Sequence, residues 1–283
     1  MILLTGTTGT VGTAALAAVA DRSRFRLGLR QATDAPAGFA AVPFDLNYTE
    51  TFAPALNGVE TMFLLFPPKV TNRDERIGHL LAAATAANVR RIVFLSVRNA
   101  DRLPMLPHRH IERAIEASGI SWTHLRPNDF MQNFATVPFH RDSIRERGEI
   151  WSAAGRSKTS YVDVRDVGAV AVKTLTEDGH GACAYTLTGP EELDLQEVAA
   201  ILSKKLGRNI RYVRPSVLGF YRETRRRGTA RSLAAVMTGI GLVARIGLAR
   251  SVDPTLAKLL GRKATSFERF VSEKASVWTK SDG

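Results

Sequence analysis

Three glycines near the start of the chain have the spacing of a phosphate-binding loop. Gly6, Gly9 and Gly12 follow an apolar run and lead into an alanine-rich segment, an order that predicts a strand, a tight turn and a helix. Gly6 would make the turn, Gly9 would let the backbone approach a pyrophosphate, and Gly12 would let the helix lie close to the strand. The free N–H groups of the helix would then face the phosphates. The residues expected to contact the nucleotide are Gly6, Thr7, Thr8, Gly9, Thr10, Val11 and Gly12.

Arg30 is the residue from which we predict the choice of cofactor. Residues 25–29 form the predicted second strand, and Arg30 follows directly, beside the expected adenosine ribose. An acidic residue there would pair with the 2′-hydroxyl of NAD, whereas an arginine pairs with the 2′-phosphate of NADP. The sequence therefore favours NADP(H) over NAD(H). The alternative is a solvent-facing arginine in an arginine-rich chain.

Further cofactor contacts are expected where other predicted strands end. In a doubly wound sheet, ligands bind outside the carboxyl ends of the strands. Asp45 follows the predicted third strand and would face the adenine edge, and Ser96 ends the fifth. Phe66 and Pro67 follow the fourth strand and would border the nicotinamide ribose, although a plain strand-ending turn is equally consistent with them.

A group of residues after the sixth predicted strand is expected to line a substrate pocket. They are Asn128, Phe130, Met131 and Asn133. Their aromatic and thioether side chains suit an aromatic or polycyclic ligand. They suit an ordinary hydrophobic core nearly as well.

Strands that alternate with helices must position these residues. Such alternation requires parallel crossovers, so the predicted fold is an α/β, Rossmann-type doubly wound parallel sheet with a smaller, mostly helical C-terminal lobe. Residues 1–188 would form the nucleotide-binding domain, with 127–160 contributing to the substrate pocket, and residues 189–283 the substrate-binding lobe. The segment 234–248 is consistent with a pocket lid, a dimer contact or a core helix.

Composition limits the functional classes. The 283 residues are 45% hydrophobic and carry a net charge of +12, which would attract phosphates, nucleic acid or anionic lipid. The densest basic run, 222–227, lacks interleaved aromatics, which favours a solvated helix face and makes nucleic acid an unlikely partner. Neither a secretory signal nor a membrane span is expected. Cys183, the single cysteine, suits a cytoplasmic location.

Several segments together resemble the NmrA-like group of atypical short-chain dehydrogenases/reductases. They are 5–12, 108–112, 118–127, 130–133, 161–167 and 260–263, so the resemblance covers nearly the whole chain. It implies a Rossmann domain with a smaller C-terminal substrate lobe, and NADP(H) more often than NAD(H). Its members divide between reductases of quinones, imines, dyes or phenylpropanoids and nucleotide-sensing regulators without turnover.

The catalytic residues of ordinary short-chain reductases are missing from this chain. Those enzymes use a tyrosine followed four residues later by a lysine, and no tyrosine here has that lysine. His108 stands instead twelve residues after Ser96, and Glu112 follows one helical turn later. The resemblance implies a lysine or histidine at the first of these positions. His108 would then donate a proton or orient a carbonyl, with Glu112 restraining the imidazole; a histidine packed at a helix start is the alternative.

These features predict an NADPH-dependent oxidoreductase that transfers hydride to a small organic acceptor such as a quinone, an imine or an enone. The alternative is a catalytically silent NADP(H)-sensing regulator that binds a partner protein. In either case we expect a monomer or a homodimer with a small-molecule ligand and no metal.

Overall fold

The computed structural model describes residues 1–67 and 70–279, which form two compact units. The first comprises Met1–Pro127, Val164–Leu187 and Lys258–Leu260, and the second comprises Asn128–Asp163, Thr188–Ala257 and the chain from Gly261 to the last described residue. The sequence-based division ended the first domain at residue 188. In the structure, Asn128–Asp163 clusters with the second unit.

The first unit contains a seven-stranded parallel sheet in the order β3-β2-β1-β4-β5-β6-β8. The strands of both units, in chain order, are β1 (Ile2–Thr5), β2 (Phe25–Leu29), β3 (Ala40–Pro43), β4 (Thr61–Leu64), β5 (Arg91–Leu95), β6 (Ser121–Pro127), β7 (Glu149–Trp151), β8 (Cys183–Leu187) and β9 (Arg211–Val213). The strand order reverses between β1 and β4, which is the switch point at which doubly wound sheets bind ligands. The predicted Rossmann-type fold is confirmed.

The helices form the crossovers of the sheet and most of the second unit. They are α1 (Thr10–Ala17), α2 (Phe52–Leu56), α3 (Arg73–Ala86), α4 (Pro107–Ala117), α5 (Asn133–Thr136), α6 (Pro138–Asp142), α7 (Val164–Thr176), α8 (Leu195–Leu206), α9 (Val217–Arg226), α10 (Arg231–Arg245), α11 (Thr255–Leu260) and α12 (Phe267–Lys274). Within the described ranges, no helix combines the length and apolar character needed to cross a bilayer.

The core of the first unit lies on both faces of the sheet. Every residue of β1 and β4 is buried, as their mostly apolar sequences predict for a central parallel sheet. On one face α1 packs very closely against α7, where a Cβ on Gly168 would lie 2.5 Å from the carbonyl carbon of Ala14. This contact fixes the helix that carries the glycine loop.

The second unit has its own core and a short parallel pair of strands, β7 and β9. Phe267, Phe270 and Trp278 are fully buried in this core. Helix α8 begins with a capping box in which Asp194 accepts from the backbone N–H of Glu197, and the Glu197 carboxylate accepts from that of Asp194. The side-chain types at this helix start predict such a cap.

Candidate functional site

The glycine loop between β1 and α1 depends on the absence of side chains. Gly6 has a φ of +66°, which favours glycine, and the backbone N–H of Gly9 donates to the Gly6 carbonyl over 3.0 Å. A Cβ on Gly12 would lie only 2.1 Å from the Gly6 carbonyl oxygen. The helix can therefore start this close to the strand only with glycine at position 12.

The loop leaves backbone donors available for an anion. Gly9 is the N-cap of α1, no side chain caps the helix, and its first turn contains no acidic residue. Gly6, Thr8, Gly9 and Thr10 are exposed. The hydroxyl oxygen of Thr7 is buried and has no hydrogen-bond partner within the described residues. The cradle formed at Gly12, the uncapped helix and this unpartnered hydroxyl together fit a dinucleotide pyrophosphate.

Arg30 stands at the carboxyl end of β2, where the sequence predicts the 2′-phosphate. Its side chain is exposed, and in the described part of the chain no carboxylate pairs with it. An unpaired guanidinium at this strand end is able to bind a phosphate through two parallel hydrogen bonds. The structure is thus compatible with the predicted role of Arg30.

Asp45 and Phe66, two of the other predicted cofactor residues, also have structural roles. One Asp45 carboxylate oxygen accepts from the backbone N–H of Asn47 over 2.9 Å and stabilises the turn after β3. Phe66 is buried in the core of the first unit, whereas Pro67 is exposed. Of the two residues expected to border the nicotinamide ribose, Pro67 is therefore the accessible one.

Ser96 and Glu112 form a buried pair at the carboxyl end of β5. The Ser96 hydroxyl donates to Glu112 Oε1 over 2.6 Å. The guanidinium of Arg126, on β6, donates to both oxygens of the same carboxylate, over 2.8 and 2.9 Å. Burial alone would raise the pKa of Glu112, but the hydrogen bonds from Arg126 and Ser96 outweigh it and hold this pKa below its usual value. Glu112 is consequently a buried carboxylate with a structural function.

This arrangement corrects the expected role of Glu112. The carboxylate was expected to restrain the imidazole of His108, yet its oxygens accept from Ser96, Arg126 and also Arg109. Glu112 acts on His108 only as a nearby negative charge. The reason is topological, because α4 turns Glu112 toward β5 and β6 in the interior of the unit.

The ionic cluster extends beyond Glu112 to a second carboxylate and a buried histidine. Arg109 also pairs with Glu116 over 2.7 Å, and His124 Nε2 lies 3.3 Å from a Glu116 oxygen. His124 is fully buried and stacks on Trp122, with ring centroids 4.4 Å apart. Burial lowers the pKa of His124 to about 4. The cluster also groups Glu112, Glu116 and His124 with the spacing of metal ligands, but Arg109 and Arg126 already neutralise its carboxylates.

Sequence reasoning missed this cluster, although two signals point to it. Glu112 and Glu116 are four residues apart on α4 and share one helix face. His124 and Arg126 are two residues apart on β6 and share one strand face. A charged helix face and a charged strand face in one crossover unit indicate a buried ionic contact.

His108 lies in the first turn of α4, directly after Pro107. The side chain is half-buried, with its ring centroid 6.3 Å from that of Phe94. Burial and the positive charge of Arg73 lower the pKa of His108, against the opposing charge of Glu112. The imidazole is thus neutral near pH 7 and can donate one hydrogen bond and accept another.

The four predicted pocket residues lie in the second unit. Asn128 is buried and its amide donates to the backbone carbonyls of Ser160 and Ala249. Met131 is fully buried in the core, so its side chain contributes to packing. Phe130 and Asn133 are half-buried. Two of the four residues therefore hold the unit together, and two remain partly accessible.

The carboxyl group of Asp129, which lies beside these residues, has a perturbed pKa. Asp129 accepts from the Asn133 amide over 2.6 Å and from the Phe130 backbone N–H over 3.0 Å. Burial raises the pKa of Asp129 to about 6 despite these two hydrogen bonds. A carboxyl group that titrates close to neutrality is a candidate functional group.

The run 222–227, predicted as a solvated helix face, and the segment 234–248 both lie largely within helices. The run 222–227 is only partly solvated, because Arg226 and Arg227 pair with Glu223 and Arg227 also lies 4.8 Å from the ring centroid of Trp151. Helix α10 covers most of the segment 234–248. Its Gly241 packs against Ala153, while Val236 is about half exposed. A fully buried core helix is therefore excluded for this segment.

The parallel sheet, its switch point and the glycine loop that opens onto α1 define a dinucleotide-binding protein of the Rossmann class. The chain belongs to the NmrA-like family, whose family model matches residues 1–271. The family expected from the sequence is confirmed.

Relatives of known activity are similar along most of their length. An NAD(P)H azoreductase from Xenophilus azovorans is 33% identical over 238 residues, which cover 83% of this chain and 82% of the relative. A (4-alkanoyl-5-oxo-2,5-dihydrofuran-3-yl)methyl phosphate reductase from Streptomyces griseus is 33% identical over 294 residues, covering 98% of this chain and 99% of that protein. The crystal structure of an NADPH-dependent quinone oxidoreductase from Escherichia coli complexed with NADPH superposes with a TM-score of 0.88 at 27% identity, over 96% of this chain and 99% of that one.

Proposed function

We propose that this protein is an NADPH-dependent reductase that transfers hydride to a small organic acceptor such as a quinone, an imine or an enone. The relatives named above support this function, since they are reductases of small organic molecules and one of them is complexed with NADPH. These relatives confirm the predicted class of protein, a reductase that uses NADPH. The identity of the acceptor is a proposal.

The observation that carries the proposal is the fit between the loop and a dinucleotide. The backbone N–H groups at the start of α1 would hold the pyrophosphate, with Gly12 leaving the necessary space. Arg30 would hold the 2′-phosphate, which NADH lacks. NADPH supplies the hydride when it is bound.

We assign His108 the role of orienting the acceptor. Its lowered pKa leaves the imidazole neutral near pH 7, where an N–H can donate to a carbonyl or imine-type atom of the acceptor. A hydrogen bond of this kind stabilises the negative charge that develops as hydride arrives. Ser96 is an unsuitable alternative donor because its hydroxyl already donates to Glu112.

An aromatic acceptor is our preferred substrate type. Phe130, the aromatic residue among the four predicted pocket residues, is half-buried, so its ring is partly available to such a ligand. We further propose a monomer or a homodimer located in the cytoplasm.

The test is acceptor-dependent oxidation of NADPH by the purified protein, followed by absorbance with a panel of quinones, imines and enones. We expect oxidation that requires both the protein and an acceptor and that is slower with NADH. If NADPH binds tightly but no acceptor is reduced, the protein is an NADP(H) sensor and the reductase proposal is wrong.

A further inference from the structure

A strongly basic cavity of about 760 Å³ opens in the second unit and is formed only by residues of that unit. Its volume is in the range of small-molecule sites. Among the described residues that line it, five are cationic and none is acidic. The lining residues are Gly155, Arg156, Ser157, Lys158, Arg214, Arg245, Ile246, Gly247 and Arg250.

Acidic neighbours neutralise only part of this charge. Lys158 pairs with Glu197 over 2.9 Å, and Arg250 lies 3.7 Å from Glu192. For the other three cations, Arg156, Arg214 and Arg245, the described residues include no carboxylate partner. Three like charges that share one cavity repel one another until an anion enters.

Hydrogen bonds hold the backbone around the cavity in place. The Asn128 amide donates to the Ala249 carbonyl over 2.9 Å, and the Ser160 backbone N–H donates to the same oxygen over 3.2 Å. The Ser157 hydroxyl donates to the Arg245 carbonyl over 2.8 Å. These bonds tie Ser157 and Ser160 to Arg245 and Ala249, so the backbone that carries Arg156 and Arg245 is fixed before an anion binds.

We infer that this cavity binds the phosphate group of a small phosphorylated organic molecule. Guanidinium groups bind phosphate oxygens through paired, charge-assisted hydrogen bonds, and a phosphate monoester carries nearly two negative charges to set against Arg156, Arg214 and Arg245. Ile246, 63% exposed, offers an apolar wall for the organic part. Within the described part of the chain, the lining includes no aromatic side chain on which the bases of a nucleic acid could stack. The inference concerns binding alone and does not depend on hydride transfer.

The probe for this site is phenyl phosphate, titrated calorimetrically into protein that is saturated with NADP⁺, so that the nucleotide loop is already filled. We expect saturable binding that weakens as salt is added. The double variant Arg156→Gln/Arg245→Gln should bind the probe at least about tenfold more weakly, because two charge-assisted contacts are lost. The single variant Arg214→Gln should also bind the probe more weakly than the wild type. Unlike the double variant, it keeps the hydrogen bond from Arg245 to the Ala153 carbonyl.

The matched control removes two exposed arginines elsewhere in the same unit. Arg222→Gln/Arg231→Gln has the same net charge as the double variant and should bind phenyl phosphate within about twofold of the wild type, because distant exposed charges are largely screened. The inference is overturned if all variants bind the probe equally, or if phenol binds as tightly as phenyl phosphate.

Two sources of the phosphate group share this chemistry, and the kinetics separate them. If the acceptor carries the phosphate, phenyl phosphate should inhibit its reduction competitively. If a separate effector carries it, the probe should change kcat without competing with the acceptor. Either result supports the proposed phosphate site. The calorimetric titration measures binding to this site even if the protein reduces no acceptor.

Discussion

The glycine loop of the first unit and the basic cavity of the second offer anions two different environments. The loop presents backbone N–H groups and an uncapped helix start, with no charged side chain between Gly6 and Gly12. The cavity presents side-chain charges contributed by positions as far apart as Arg156 and Arg250. One site depends on the space that glycine leaves, and the other on charge held by a rigid backbone.

This difference determines how each site should fail. A methyl group at position 12 is enough to distort the glycine loop, because it would clash with backbone that cannot move aside. The cavity tolerates changes of shape, but it should lose affinity with each guanidinium removed and with added salt. The following predictions test this contrast, beginning with the largest expected effect.

Replacing Gly12 should cause the largest loss of nucleotide affinity. Gly12→Val places a Cβ 2.1 Å from the Gly6 carbonyl oxygen, so the loop must open, and NADPH affinity should fall by about 1,000-fold, roughly 4 kcal/mol. Calorimetric titration with NADPH measures the loss. Phenyl phosphate binding should remain, because the cavity lies in the second unit, and an unchanged circular dichroism spectrum would show that the first unit is folded.

The matched control for Gly12 is Gly78, an exposed glycine in α3 with no neighbour within 4 Å of a built Cβ. Gly78→Ala should leave NADPH affinity unchanged. If Gly12→Val and the wild type bound NADPH with equal affinity, the backbone around Gly12 would not be the pyrophosphate site.

Acid should destabilise the first unit through His124. Its pKa is about 4 in the folded chain against 6.5 when unfolded, so the unfolded state binds more protons between these values and stability falls as pH drops through that window. The difference corresponds to about 3 kcal/mol once the pH approaches 4. Urea unfolding at several pH values should show a flatter dependence for His124→Gln than for the wild type, with exposed His79→Gln as the control. Identical slopes in all three proteins would exclude this role for His124.

Arg30→Asp should weaken NADPH binding by about 10- to 100-fold, or up to roughly 3 kcal/mol, because a phosphate-binding charge is replaced by a repelling one. NADH, which lacks the 2′-phosphate, should bind at least as tightly as before, because an aspartate can accept a hydrogen bond from its 2′-hydroxyl. Arg113→Asp, at an exposed position of α4, makes the same change of charge and should affect neither nucleotide. An unchanged preference in Arg30→Asp would remove Arg30 from the cofactor site.

His108→Ala should lower kcat by about tenfold, or roughly 1.4 kcal/mol of transition-state stabilisation, and leave the Kd of NADPH unaltered. Steady-state kinetics with an acceptor from the panel, combined with NADPH titration, separates the two effects. Full activity in this variant would exclude His108 from the reaction.

The features predicted correctly from the sequence are those that local patterns determine. The glycine loop and the alternating strands and helices each depend on residues within a few positions of one another. The sterics of a turn and the period of a helix act at this range. The fold class and the strand, turn and helix around the glycine loop could therefore be inferred from the sequence.

The features that escaped prediction require elements distant in the chain. The four-residue spacing on α4 predicted that Glu112 would contact His108. In the fold, Glu112 instead accepts from Ser96 at the end of β5 and from Arg126 on β6. The cavity joins Arg156, Arg214 and Arg245 only once the second unit is folded. In a chain of net charge +12, no single arginine signals such a site.

The most direct test of the central claim is a crystal structure of the wild-type protein with NADPH and phenyl phosphate. We predict the pyrophosphate within about 3 Å of the backbone N–H groups at the start of α1, the 2′-phosphate on Arg30, and phenyl phosphate among the arginines of the second unit. A nucleotide whose phosphates lie on Arg156 and Arg245, with the glycine loop making no contact, would contradict the account.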